Sequence, residues 1–372
     1  MIIDPKVSET NQNDVTCTSC GAHLKYLPGT KSLKCDHCGT EAEIEPCEDI
    51  VQEIDFEKFV EQQSGNLVEQ EITTIQCNGC GAHVTFDPNI VSDHCPFCGS
   101  VVIAKYGEKE TQIRPGSILP FAIDSKNAFE AFRKWIQKLW FAPSDLKKFA
   151  VNHEMLKGVY VPYWTYDSKT FTKYSGQRGD NYTTTQTYTT VENGKTVTRT
   201  RTVTKIRWTT VSGSFDRFFD DVLVLASKSL PKKYADRLTP WGLEKLVTYN
   251  PKYLSGYRTE TYQVGLKEGF DHAQMIMDDT IRDETRARIG GDHQRIFTIH
   301  SNYNDVTFKH VLLPVWISAF RYNKKVYRFL INGYTGEVQG ERPYSVSKII
   351  LAIIGGIVIL AILFLIFGSM ME

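Results

Sequence analysis

Arginine is missing from the first hundred residues, and lysine is scarce there: five lysines stand against seventeen aspartates and glutamates. A segment with a balance of 5 − 17 = −12 cannot supply the basic footprint that grips phosphate backbones. It is excluded as a nucleic-acid or anionic-lipid surface and suits a basic protein surface, in this chain or another. The remaining residues carry 38 − 26 = +12, so the net charge of zero conceals an asymmetry. Catalytic signatures are missing too. The chain has no Gly-rich phosphate loop, no H-E-x-x-H and no G-x-S-x-G, which removes P-loop nucleotide hydrolysis, zincin chemistry and the serine-hydrolase elbow. His153, His272, His293, His300 and His310 lack metal-ligand spacing. An approach of His300 to His310 across strands is the alternative reading; they are expected to be satisfied structural histidines. The start, Met-Ile-Ile-Asp-Pro-Lys, lacks the basic-then-apolar pattern of a secretory signal. These absences together lead us to expect a protein that is not an enzyme.

What is present is a cysteine pattern that occurs twice. Cys17-Thr-Ser-Cys20-Gly-Ala-His matches Cys77-Asn-Gly-Cys80-Gly-Ala-His, and Cys35-Asp-His-Cys38-Gly matches Cys95-Pro-Phe-Cys98-Gly. Each copy reads C-x2-C-x14-C-x2-C, the spacing of a four-thiolate zinc site, and predicts two zinc ions per chain. Four protein ligands leave no open position for chemistry, so both sites are expected to be structural. Gly21, Gly39, Gly81 and Gly99 follow the knuckles, where positive φ turns backbone N–H groups towards sulfur. Disulfides are the alternative for these cysteines, but nothing else in the chain suggests export. Two ionised sites would add about −2 each to the acidic segment. His23 and His83 are expected to pack near the sulfurs; His37 and His94 do not match each other and are not expected to be ligands. Cys47, between Pro46 and Glu48, is left over as an inert linker residue.

The order of segments follows from these landmarks. Residues 1–16 read as a disordered lead, 17–44 as the first ribbon, 45–72 as an acidic connector with one short helix through Ile54, Phe59 and Val60, and 73–103 as the second ribbon. From 117 to 340 the pattern is α+β. Asp124 or Ser125 caps a helix whose aromatic core stripe runs to about Trp140, and a second helix covers Leu266 to about Ile289, ended by Gly290-Gly291. Strands are expected at Val159–Tyr166, Arg295–Tyr303, Val306–Tyr322 and Lys325–Asn332, with a turn at Asn323-Lys324 and a new element beginning at Asp220-Asp221. Phe121, Ile123, Lys126 and Phe129 match Tyr262, Val264, Lys267 and Phe270, and Val161-Pro-Tyr-Trp164 matches Leu313-Pro-Val-Trp316. These matches suggest two similar lobes. The fold class expected is therefore two small zinc-ribbon β modules, an α+β region of two similar lobes, and one C-terminal transmembrane helix.

That last element rests on Ile349 to Phe367, which carries no charged side chain. At about 1.5 Å per residue it reaches about 30 Å, the thickness of a bilayer core. A buried core helix is the alternative, but such a helix would show a polar face. Residues 349–368 are therefore expected to cross the membrane once as a tail anchor. Arg342 and Lys348 precede the span, which puts the N-terminal part in the cytoplasm of a cell-membrane protein. Ala352 and Gly356 have small-xxx-small spacing, which would allow homo-oligomers.

Residues 181–210 hold thirteen threonines and an Asn193-Gly194 turn signal, which predicts a hairpin. One face of its second strand carries Lys195, Arg199, Arg201, Lys205 and Arg207. Either these charges merely keep an edge soluble, or the hairpin is a basic arm for phosphates, lipid headgroups or an acidic partner.

Several stretches resemble a known bacterial family. They are Cys77–Ala104 with Thr85-Phe-Asp-Pro-Asn89 and Cys95-Pro-Phe-Cys-Gly-Ser100, Phe132-Arg-Lys-Trp135 with Leu139-Trp-Phe-Ala-Pro143, Val161–Tyr166, Phe218-Phe-Asp-Asp-Val222 and Leu313–Trp316. The family comprises tail-anchored membrane proteins with transcription-factor-IIB-type zinc ribbons, often labelled primosomal-protein-N-prime-like or helicase-like. The helicase label does not carry over, because no helicase ATP site exists here. The resemblance implies a recruiting platform in membrane-stress systems built on phage-shock-protein-A-like and stomatin/flotillin-like proteins. The expected function is thus a non-enzymatic, zinc-binding membrane adaptor. A membrane-tethered nucleic-acid binder is the alternative, with nucleic acid disfavoured, and an enzyme hidden in the lobes is a third.

Overall fold

The computed structural model of the chain describes residues 15–45, 51–61, 69–85, 92–103, 108–143, 156–192, 195–322, 325–342 and 344–369. The lead before residue 15, Cys47 and the two turns Asn193-Gly194 and Asn323-Lys324 lie outside the described residues. The first cysteine module holds β1 (Leu24–Tyr26), β2 (Ser32–Cys35) and β3 (Glu41–Glu43), an antiparallel three-stranded sheet. The connector supplies β4 (Ile54–Asp55) and α1 (Phe56–Glu61). The second cysteine module follows with β5 (Glu69–Gln76), β6 (His83–Thr85), β7 (Ser92–His94) and β8 (Val101–Ile103). Then come β9 (Glu108–Ile113), β10 (Ser117–Ile118), α2 (Ser125–Lys138), β11 (Lys157–Glu192), β12 (Lys195–Leu225), β13 (Val247–Thr248) and β14 (Arg258–Glu260). The chain continues through α3 (Leu266–Ile289), β15 (His293–Tyr322), β16 (Lys325–Asn332) and β17 (Val338–Gly340) to α4 (Val346–Ser369).

One sheet dominates, and its centre is the antiparallel pair β11 and β15. Val159 to Tyr166 is a near-continuous apolar run, which suits a strand buried on both faces. The pairing is crossed about Val161 and Leu313, which sit opposite each other. β10 runs parallel to β15, and β14 parallel to β11. Each long strand also gives its tryptophan to the other half: Trp164 Nε1 donates to the Val264 carbonyl at 2.9 Å, and Trp316 Nε1 to the Ile123 carbonyl at 3.1 Å.

Both long helices cover the face that carries Tyr160, Trp164 and Tyr166. The Asp124 carboxylate caps α2 by accepting from the Asn127 N–H at 2.8 Å, and Phe132 stacks on Phe329 with ring centroids 3.8 Å apart. In α3 the buried positions Leu266, Gly269, Ala273, Met277, Ile281, Thr285 and Ile289 recur every three or four residues, a single stripe facing the sheet. Gly290 and Gly291, both at positive φ, end it. The opposite face carries Val159, Val161, Tyr163, Val311, Leu313 and Val315. It is covered by the second cysteine module and by Leu230, Ala235, Leu238 and Trp241.

Two expected breaks are not breaks. β12 runs through Asp220-Asp221 to Leu225, and β15 runs through Asn304-Asp305. Asp221 and Asp305 each take φ 50, and β11 shifts register against both neighbours at this level, around Asp167. Aspartate tolerates that backbone better than most residues. The three strands absorb it as bulges instead of ending. The Asp167 carboxylate accepts from the Asp221 N–H at 2.6 Å and from the Thr307 hydroxyl at 3.3 Å. Thr307 also donates to Glu53, and Lys309 pairs with Glu53 at 3.2 Å and with Asp221 at 2.7 Å. The connector is therefore tied to the sheet by a polar knot, next to the packing of Phe56 and Phe59 on Phe308. Burial, and then the neighbouring Glu53 carboxyl, push Asp167 up to about 6; the hydrogen bond with Asp167 leads the causes that hold Glu53 below its usual value.

β15 leaves the sheet at His293, opposite Gly179. Beyond that point β11 and β12 pair alone, out to Glu192 opposite Lys195. At the other end of the molecule β17 leads to α4, one helix long and apolar enough to cross a membrane, none of whose span is buried in the fold.

Two substitutions test this packing. Gly269 of α3 lies against β11, where an added methyl would press on the Tyr166 hydroxyl and lie 2.9 Å from Trp164 Cδ1. Gly269→Ala is expected to lower Tm, because overpacking costs about 1–3 kcal/mol and outweighs a helix-propensity gain of about 1 kcal/mol. Asp167 has a raised folded value. Its stabilising contribution is present below the ordinary aspartate value and lost as pH rises to about 6. Glu53 works in the opposite sense at the acid end. Asp167→Asn imitates the protonated acid, so denaturant midpoints of the variant are expected to be flatter than wild type across that window.

Candidate metal centres

In each cysteine module a turn brings two sulfurs together, and a second turn brings two more. The Gly21 N–H donates to the Cys17 carbonyl at 2.9 Å, and the Gly39, Gly81 and Gly99 N–H groups repeat this with Cys35, Cys77 and Cys95. All four glycines have φ between 73° and 79°, a region in which a side chain would be strained. Strand β1 pairs Leu24 with Cys35, which carries the second knuckle against the first.

The result is two groups of four sulfurs, Cys17, Cys20, Cys35, Cys38 and Cys77, Cys80, Cys95, Cys98, each with its sulfurs within 4.8 Å of one another. The closest approaches are 3.5 Å for Cys17–Cys38 and Cys20–Cys35, and 3.6 Å for Cys77–Cys98 and Cys80–Cys95. A tetrahedron with zinc–sulfur bonds of about 2.3 Å has edges of about 3.8 Å, so the sets fit such an ion. A disulfide needs sulfurs about 2.05 Å apart, and all eight cysteines are free.

Electrostatics point the same way. Four thiols in contact cannot all ionise without a cation. A hydrogen bond from the Thr40 hydroxyl, 3.1 Å away, helps hold Cys38 down at about 6. Cys20 is pushed up to about 12 by Cys38 and Cys35 even though the Ala22 amide favours its thiolate. In the second group the Cys95 thiol leads the effects that draw Cys80 down to about 5, and Cys95 is itself raised. Among the described residues no other group of His, Cys, Asp or Glu has ligand geometry. His23 lies beside the first group without joining it; its Nε2 is 3.1 Å from the Ser255 hydroxyl.

Neither module hangs free. The Tyr26 N–H donates to the Ser255 carbonyl, the Gly29 N–H to Phe121, and the Tyr26 ring packs edge-on against Tyr253. The second module joins the main sheet, with Thr85 and Val84 of β6 opposite Thr259 and Glu260 of β14. Arg258 donates to the His94 carbonyl at 2.6 Å.

The basic hairpin residues share one face, as their spacing requires. Lys195, Arg199, Arg201, Lys205 and Arg207 stand opposite Glu192, Tyr188, Gln186, Tyr182 and Asp180. Arg201 lies over the Tyr188 ring at 5.5 Å, and Arg207 over Tyr182 at 5.1 Å. The other face pairs Thr183, Thr185, Thr187 and Thr189 with Thr204, Thr202, Thr200 and Thr198.

His300 and His310 do not approach each other across strands. Both lie on β15, opposite Lys173 and Trp164 respectively. His310 is buried. Its Nδ1 pairs with the Ile113 carbonyl at 2.8 Å, its Nε2 has no partner, and burial lowers its pKa to about 4. Burial raises Glu260 to about 8, against the lowering influence of Ser229 and Ser227 beside it. Both line a small cavity with Thr85, Tyr249 and Thr261. Nothing local in the sequence marks either residue, because only tertiary burial distinguishes them.

Elemental analysis of the purified protein is expected to find two bound metal ions per chain. Cys35→Ser or Cys95→Ser should each reduce that to one.

No family model matches the chain, and no solved structure matches it. The chain is similar to a protein of Bacillus subtilis (strain 168) whose name is uncharacterized protein YdjG. The two are 26% identical over 350 residues, covering 90% of this chain and 91% of that protein.

Proposed function

We propose that the chain is a non-enzymatic zinc-binding adaptor, held at the cell membrane by α4 with its cysteine modules in the cytoplasm, that recruits protein partners. The observation that carries this is the pair of closed four-cysteine groups docked on a sheet that ends in one exposed apolar helix. Four sulfurs per group leave no open coordination position, and a tetrahedral all-sulfur set suits zinc. Each group then serves as a zinc ribbon that stiffens its module. In the same reading the α+β region consists of two similar lobes, which the crossed bonds Trp164–Val264 and Trp316–Ile123 support. The partner belongs to membrane-stress machinery of the phage-shock-protein-A-like or stomatin/flotillin-like kind. It meets the hairpin through an acidic surface complementary to Lys195, Arg199, Arg201, Lys205 and Arg207.

A second reading has one observation in its favour. Tyr182 and Tyr188 are exposed on the same face as the basic residues, an arrangement able to stack bases between cations. In that reading the hairpin holds single-stranded nucleic acid near the membrane.

Affinity capture of the full chain from detergent-solubilised membranes, with proteins and nucleic acids both identified, separates the two. We expect a protein partner, lost when Arg199, Arg201, Lys205 and Arg207 are changed to Gln, with the thermal melt unchanged. A nucleic acid bound tightly by the purified chain, weakening with salt at a log–log slope of about −3.5 for five contacts on a single strand, would replace the adaptor by the second reading.

A further inference from the structure

The turn after α2 presents an apolar surface that a soluble fold does not explain. Leu139 and Ala142 are buried in the core with Phe132 and Phe329, and the Ala142 N–H donates to the Leu139 carbonyl at 3.2 Å. Locking those two inward turns the pair between them outward. Trp140 is 78% exposed, the most exposed of the tryptophans, and Phe141 is 40% exposed.

This turn touches the root of α4. The Ser345 N–H donates to the Phe141 carbonyl at 2.8 Å, and Lys348 Nζ donates to the Ala142 carbonyl at 2.7 Å. The Ile349 N–H in turn donates to the Ser345 carbonyl, so the helix is already under way where the turn meets it. Tyr344 and Val346 are also exposed beside this junction, and the Arg342 guanidinium lies over the Tyr344 ring at 5.3 Å. Trp140, Phe141, Tyr344, Arg342 and Lys348 therefore gather at the level where the apolar span begins. Aromatic rings with one polar edge, flanked by basic side chains, are the composition that settles at the boundary between headgroups and acyl chains.

We propose that the Leu139–Ala142 turn is a second membrane contact. Trp140 and Phe141 insert into the interfacial layer of the bilayer that α4 crosses, and together they fix the tilt of the sheet above it. The proposal rests on the reading that α4 spans a bilayer. A single helix would let the body swivel about its root, whereas a rigid foot beside that root, built on the core through Leu139 and Ala142, removes this freedom.

The test uses the full chain in liposomes of phosphatidylcholine and phosphatidylglycerol, with or without bromine on the acyl chains near the headgroups. Bromine quenches tryptophan only on contact. α4 contains no tryptophan, and Trp164, Trp241 and Trp316 are buried in the fold. We expect brominated lipid to remove part of the wild-type emission, Trp140→Phe to lose that lipid-dependent component, and adding Phe141→Trp to Trp140→Phe to restore it. Flotation of the same liposomes reads the anchor separately. Chains that float while wild type and Trp140→Phe are quenched alike would overturn the foot alone. So would a Trp140 shielded from aqueous iodide yet untouched by brominated lipid, because another protein copy would then cover it. Chains that fail to float would overturn the anchor and the foot together.

Discussion

The antiparallel pairing of β11 with β15 is the constraint from which the rest of the architecture follows. From Val159 to Ser168 almost every side chain of β11 is buried, on both faces, so its backbone groups have no access to water and must be met within the sheet. β15 meets them along most of the strand, and β12 and the short β14 complete the edges. A slip of one residue would turn Tyr160, Trp164 and Tyr166 away from α2 and α3 and towards the second cysteine module. The crossed tryptophan bonds would fail at the same time, because each reaches a carbonyl just before the helix of the other half. Register, helix placement and hydrogen bonding thus select the same arrangement, the consistency expected of a sequence with one native state.

Both cysteine modules share an apolar core with that centre, and they differ in whether their strands join its sheet. The first adds Cys17, Leu24, Tyr26, Leu33, Cys35 and Ile44 to the apolar cluster that includes Phe121, Tyr160 and Trp316, and backbone bonds at Ser255 and Phe121 hold it there, but its three strands form a sheet of their own. The second shares a core with the central strands: Cys77, Cys95 and Phe97 belong to the apolar cluster that includes Val161 and Leu313. Structural metal sites contribute roughly 10–16 kcal/mol of apparent binding energy, much of it spent on local order. In the second module that order extends into the main sheet through β6 and β14. Charge has a smaller part in the docking than the acidic balance of the segment suggests. The contacts are largely backbone and apolar, and the Glu53–Lys309 pair belongs to the connector and not to a module.

Much of this was legible in the sequence wherever the signal is local. The eight cysteines with their glycines announce four knuckles, because the turn needs a residue at positive φ and the sulfurs need fixed spacing. The limits of α3 can be read from its stripe and from Gly290-Gly291, and the cap of α2 from Asp124. The lengths of the long strands could not be read. Asp220-Asp221 and Asn304-Asp305 carry turn chemistry, and only the Asp167 carboxylate, far away in sequence, converts the first of these into a bulge. Trp140 misled for the opposite reason. It ends an aromatic stripe at core spacing, but the helix stops at Lys138 and the next turn rotates the ring outward. Glu260 and His310 gain their unusual environments only through burial by segments that the sequence does not place beside them.

The long strands also set a distance. β11 begins across β15 from β16, on the side of the sheet where β17 leads to α4, and is 36 residues long to its end at the hairpin. At about 3.3 Å per residue that is on the order of 115 Å of strand. At physiological salt an electric field decays over about 8 Å. On the proposed reading that α4 crosses a bilayer, the five basic side chains near the tip can therefore sense that bilayer only if the whole sheet lies along it. With the sheet upright they face the solvent well beyond any headgroup, out of reach of the lipid surface. The tilt of the sheet at its root thus decides which chemistry the hairpin can meet, and a contact as small as one turn beside α4 bears on recognition at the far end of the molecule.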